Sequence, residues 1–265
     1  MKKELNGKPF APLHKKDMFI SAYQLGHEMG VDLSIAKFFV DRPVPENNSF
    51  WKGRLLYIGF GNGYVSIPVY YDLLLRIGLP LETLLSEAHI QFMEQLMHYA
   101  ILQERTQISR LEELEAIRRL LNGRVKNTNR YQALNHYLDQ QVLKPQEPLG
   151  LDLPALNRAD VFLYILCDLP LTEKQWELAI RYWYALHPTY LIMDDLRDYE
   201  KDKESGEDNV VLEWGDGTAG FQQAMDRIRS NCETMKEVNP VLAEFFLSYE
   251  DDLREMINRR LTVDG

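Results

Sequence analysis

Three aspartates in the stretch Met193 to Val211, which reads MDDLRDYEKDKESGEDNVV, have the type and spacing to hold a hard cation. Asp194, Asp198 and Asp202 recur at i, i+4 and i+8. On an α-helix each then sits ~40° around from the last and ~6 Å further along, so the three share one face. Carboxylates so placed need a positive partner. A divalent ion such as Mg²⁺, bound through oxygen and completed by water and phosphate oxygens, is the natural one. The alternative is a solvated acidic helix end. Asp195, Glu200 and Glu204 are expected to point to solvent.

The element that must carry this face begins upstream. TEKQWELAIRYWYALHPTYLI is rich in aromatic and aliphatic residues and predicts a largely buried helix over residues 173–203, with the acids at its end. Helices are also expected near 17–40, with Gly26 and Gly30 allowing close packing or a break, and near 82–107, 128–143, 156–168, 217–236 and 239–261. A helix should end near Gly78 and Pro80, and DRPVPENNS, 41–49, should be a loop. Ser109 followed by Glu112 reads as a capping box opening a charged helix that stops at Asn122 and Gly123. KPQEPLGLDLP, with its three prolines, is the most linker-like segment. The helices on either side look too short of surface to form separate cores. Strand-type alternation is nearly absent, so the fold class is all-α, a single helical bundle of roughly eight to ten helices spanning residues 1–265, with 1–16 a loose basic start.

Other chemistry-bearing groups have bland explanations beside functional ones. Arg118, Arg119, Arg124, Lys126 and Arg130 form the densest basic cluster and could receive a diphosphate, but ion pairs along helix faces account for them equally well. Glu94 and His98, one turn apart, suit a ligand pair or a buried hydrogen bond, the latter being the better expectation. GFGNG, 59–63, lacks the surrounding β-α-β pattern and the lysine of a nucleotide loop and reads as a tight turn. A formal net charge of -10 and a pI near 5.2 argue against a nucleic-acid partner. With only two cysteines, Cys167 and Cys232, no disulfide framework is implied. No uninterrupted run of about eighteen apolar residues appears, so no membrane span is expected. MKKELNGKPFAPLHKK lacks the apolar core of a secretory signal, and the expected location is the cytoplasm.

At the aspartate stretch the sequence resembles a known family. DDLRDYEKD is similar to the second metal motif of the class I terpene synthases, N/D-D-L/I-x-S/T/D-x-x-K-E/D, with Asp194, Asp198 and Asp202 on the ligand positions and Lys201 on the basic position. Gly206, Glu207, Asn209 and Val211 fall on the pattern that often follows. The same residues resemble the second D-D-x-x-D of the prenyl diphosphate synthases, as Asp194, Asp195 and Asp198. Both families share the terpenoid synthase fold. The resemblance implies a helical bundle around an apolar cavity, Mg²⁺ ions holding a prenyl diphosphate, and ionisation followed by cyclisation, elimination or coupling. It also implies a homodimer. Asp194, Asp198 and Lys201 would serve catalysis, with Arg197 beside the diphosphate.

The other half of the pattern is degenerate. FMEQLMHYAILQERTQ can be laid over the prenyl synthase segment E-x-I-H-x-x-S-L-I-H-D-D, which puts His98 on a diphosphate-binding position but Arg105 and Thr106 on the two aspartates. Glu104 would have to stand in as a metal ligand. WKGRL is faintly similar to the diphosphate-binding G-G-K-R-x-R-P segment through Lys52 and Arg54. The competing expectation is a non-catalytic binding protein that kept the bundle and lost its first acidic motif.

Overall fold

The described residues form helices joined by turns and loops, and no strand occurs among them. The structure is a computed structural model that describes residues 22–43, 45–52, 63–140, 148–215 and 217–263. The loose start at 1–16, Arg54, most of GFGNG and the first part of KPQEPLGLDLP lie outside them. The helices are α1 (Ala22–Glu28), α2 (Leu33–Asp41), α3 (Ser49–Lys52), α4 (Gly63–Arg76), α5 (Leu81–Leu84), α6 (Glu87–Glu104), α7 (Arg110–Leu120) and α8 (Thr128–Leu138), followed by α9 (Glu173–Ser205), α10 (Val210–Trp214), α11 (Thr218–Lys236), α12 (Pro240–Leu247) and α13 (Glu250–Val263). Two 3-10 segments, Pro154–Asn157 and Asp160–Asp168, lie between α8 and α9. No helix among the described residues is long and apolar enough to cross a membrane.

The chain divides into two compact units, neither of them continuous in sequence. One comprises residues 1–40, 54–69 and 185–265, the other 41–53 and 70–184. KPQEPLGLDLP is internal to the second and separates nothing.

In the first unit, the later part of α9 is buried on every side over residues 185–193, as a helix apolar all round must be. It packs on α11 and α12. Asn231 donates to Thr189 Oγ1 at 3.1 Å, Tyr199 meets Phe221 at 4.8 Å, and Tyr190 meets Phe246 edge-on at 5.1 Å. The α10 and α11 backbones touch at Gly220, where a Cβ would stand 2.1 Å from Gly215 O and 2.3 Å from Val211 O. Only glycine fits. The stretch expected as a helix over 17–40 is described from residue 22 and breaks at Gly30 into α1 and α2, and Asn239 secures the break by donating to Met29 O at 3.0 Å while capping α12 by accepting from Leu242 N.

In the second unit, α6 packs against α3, α5, α7 and the 3-10 segment at 160–168. The capping box at Ser109 and Glu112 forms as the sequence predicts. Residues 82–107 divide into α5 and α6 around Leu85 and Ser86. The expected helix over 156–168 is instead wound as 3-10. Its first residue, Asp160, is fully buried and accepts from Tyr137 at 2.6 Å, Trp183 Nε1 at 2.8 Å and Tyr184 at 2.7 Å. Bonds to two neighbouring helices, rather than helix propensity, therefore set its course. Nearby, Phe162 stacks on Trp183 and Tyr70 meets both rings edge-on.

Candidate functional site

The last three turns of α9 carry six acids, and the structure sorts them onto different sides. With ~100° per residue, Asp198 lies ~40° from Asp194, while Asp202 lies ~80° from Asp194 and only ~20° from Asp195. The equal spacing that reads as one face therefore drifts.

Asp194 and Asp198 remain together and half-buried, their side chains 15% and 30% exposed. Arg197 lies across them, donating from Nη2 to Asp194 Oδ1 and from Nε to Asp198 Oδ1 at 3.2 Å. Two carboxylates one turn apart, with a guanidinium between them, are a charged group at the end of a buried helix.

Asp195 is 3% exposed, not solvent-facing as the sequence predicts. Its Oδ2 accepts from the backbone N–H of Val210 at 2.8 Å, a first-turn donor of α10 that the helix itself leaves without a partner. Asp202 is buried too. Its Oδ2 accepts from Asn209 Nδ2 at 2.9 Å, and the same amide donates to Asp195 O at 2.8 Å. Asn209 Oδ1 caps α10, accepting from Val211 N at 3.0 Å. Gly206, at φ +72, turns the chain out of α9, its N–H bonding back to Asp202 O at 2.8 Å. That backbone region favours glycine. Lys201 is exposed, 3.7 Å from both Asp202 and Glu207. Glu200 and Glu204 are exposed, as expected.

The remaining candidates belong to the other unit or lie outside the described residues. Glu104 ends α6 and is exposed. His98 Nδ1 accepts from Ser49 N at 2.9 Å, and burial lowers the ring's pKa, so the neutral ring carries its proton on Nε2. Glu94 is held by Arg42, which also pairs with Glu87 at 2.9 Å, so Glu94 and His98 are each secured by the 42–49 segment rather than by one another. These groups line a pocket of about 460 Å³ with Asn47, Gln95 and Tyr99. Lys52 closes α3, and its side chain lies outside the described residues.

Three of the five residues of the basic cluster are spent on internal partners. Arg118 pairs with Asp139 at 2.6 Å, Arg124 with Asp168 at 2.6 Å, and Arg130 with Glu173 at 2.6 Å. Nothing in the sequence singled out Arg42 or Asp160. The available signals were an arginine in a proline loop beside two helix glutamates, and one acid inside an apolar run.

Among the described residues no group of three histidine, cysteine, aspartate or glutamate side chains could hold a metal ion. Mg²⁺ is commonly held by one or two carboxylates with water and phosphate oxygens in the other positions, and Asp194 and Asp198 are two carboxylates one helical turn apart. Comparison with protein-family models, with curated proteins and with solved structures finds no match to the chain.

Proposed function

We propose that the chain is a divergent protein of the terpenoid synthase fold whose α9 terminus binds a prenyl diphosphate together with Mg²⁺ and promotes its ionisation. The observation that supports this most is the paired Asp194 and Asp198, one turn apart, partly buried and bridged by Arg197. In this reading Asp194 and Asp198 are the metal ligands. When bound, Mg²⁺ would stabilise the negative charge that gathers on a departing diphosphate. Arg197 offers a guanidinium that can pair with phosphate oxygens as it pairs with carboxylates here. Exposed Lys201 adds positive charge beside the same turn. Ionisation breaks the allylic C–O bond, the electron pair leaves with the diphosphate, and the allylic cation must then be kept from water. The same reading carries a cytoplasmic location and a homodimer with it.

Incubation with C10, C15 and C20 prenyl diphosphates and Mg²⁺, followed by measurement of diphosphate release and organic products, tests the proposal. Turnover lost in Asp194→Ala and Asp198→Ala is the expected result. A second reading, the non-catalytic binding protein, is favoured by Arg197 already closing the two carboxylates. Its signature is prenyl diphosphate binding without turnover, unchanged by Asp194→Ala or Asp198→Ala.

A further inference from the structure

We infer that Asp202 anchors a staple rather than a metal, and that Asn209 is the positioning residue that sets the phase of the α9 terminus. The second half of this inference, that the staple serves metal binding at Asp194 and Asp198, rests on the proposed function.

The geometry of a helix end explains why one amide can do this. Main-chain carbonyls point toward the helix C-terminus, whereas Cα–Cβ bonds tilt toward the N-terminus. The Asp195 carbonyl and the Asp202 carboxylate, seven residues apart and ~20° apart around the axis, therefore lean toward each other. Asn209 Nδ2 fills the space between them, bonding Asp195 O at 2.8 Å and Asp202 Oδ2 at 2.9 Å. A third bond, from Val210 N to Asp195 Oδ2 at 2.8 Å, fixes the other side of the same turn. Asn209 is 2% exposed and Asp202 6%, so these bonds are shielded from competing water. The two acids that face α10 are thereby held there, while Asp194 and Asp198 are bonded by Arg197 instead. An acid already accepting a buried amide bond on one oxygen, and with Lys201 3.7 Å from the other, is poorly placed to join them.

The test pairs amide hydrogen exchange over residues 198–206 with Mn²⁺ affinity in the presence of inorganic pyrophosphate. Asn209→Ser keeps a capping oxygen for α10 but cannot span Asp195 and Asp202. Exchange should quicken about tenfold or more, the consequence of losing buried hydrogen bonds. Asp202→Ala should do the same. Asp202→Asn keeps an acceptor for Asn209, and both exchange and Mn²⁺ affinity should stay within about twofold of the unaltered protein. Asp194→Asn should abolish Mn²⁺ binding and leave exchange as it was. Asn209→Ser should weaken Mn²⁺ binding although its side chain touches no ligand.

If Asp202→Asn loses Mn²⁺ as Asp194→Asn does, Asp202 is a ligand and the inference is overturned. Unaltered exchange in Asn209→Ser removes the staple. Unaltered Mn²⁺ affinity in that variant, with Asp194→Asn inactive in binding, removes the positioning role. Should neither Asp194→Asn nor Asp198→Asn alter Mn²⁺ binding, the proposed function fails, and the staple is decided by exchange alone.

Discussion

Asp160 should give the fold an inverted acid response. It is fully buried, and the groups in contact with it are Tyr137, Trp183 and Tyr184, all neutral donors. Burial pushes its pKa up to about 6, against a usual 3.8, with the three donors and the more distant Arg110 pulling the other way. A carboxyl whose pKa is raised in the folded state binds its proton more tightly there than in the unfolded chain. Its contribution to stability is therefore full below about pH 4 and is lost as pH rises through about 6. Two units correspond to about 3 kcal/mol, of which about 2 kcal/mol develops between pH 4 and pH 7. Other carboxylates slope the opposite way: Asp168, though burial raises it, is held below the usual range by His89 and Arg124, and loses its contribution on acidification. The Asp160 effect must therefore be isolated by difference, with Asp160→Asn as the reference. Urea unfolding of both proteins at a series of pH values, followed by tryptophan fluorescence and circular dichroism, supplies the two stability curves. The stability of the unaltered protein minus that of the variant should fall by about 2 kcal/mol from pH 4 to pH 7. A difference that stays flat, or that grows with pH, refutes the assignment of a raised carboxyl at this position.

Three further perturbations have definite outcomes. Gly220→Ala places a methyl group 2.1 Å from one backbone oxygen and 2.3 Å from another, neither of which can rotate away; destabilisation of about 3 kcal/mol is expected in a thermal melt, and near-neutrality would mean the α10–α11 contact is looser than described. Arg42→Ala leaves Glu94, 5% exposed, buried without its counter-ion, for a loss of about 3 kcal/mol in urea unfolding; Glu94→Gln made in the same background should recover part of it. Asn239→Ala removes at once the α12 cap and the bond to Met29 O, so about 2 kcal/mol should be lost, with the amides of residues 29–31 and 241–243 exchanging faster before the rest of the unit opens.

What was legible in the sequence was what is decided within a few residues. The capping box at Ser109, the stop at Asn122 and Gly123 and the full course of α9 depend on near neighbours, and they form as read. The linker-like KPQEPLGLDLP divides no unit, because proline content reports local conformation and says nothing about which helices share a core. The 3-10 winding at 160–168 follows from Tyr137, Trp183 and Tyr184, which lie 23 to 24 residues from Asp160 in sequence. Residues 239–261 read as one helix but divide into α12 and α13 around Ser248, where Ser248 donates to Phe245 O at 2.7 Å.

The aspartates of α9 show the same division within a single motif. Their four-residue spacing is a local fact, and it does place them near one another. A straight helix nevertheless advances ~40° over each four residues, so three such acids cover ~80° and cannot all meet one small ion as directly as the first two can. Which two stay together depends on what grips the third. Asn209 lies beyond the helix end and past a turn that Gly206 makes; the sequence marks it as part of the pattern after the aspartates but not as their hydrogen-bond partner. Once the turn closes, that residue reaches Asp202 and Asp195 together, leaving Asp194 and Asp198 as the pair bridged by Arg197. The residues downstream of the aspartates thus have a structural task of their own: past the turn at Gly206, Asn209 and Val210 take up Asp202 and Asp195, while Asp194 and Asp198 are left to Arg197.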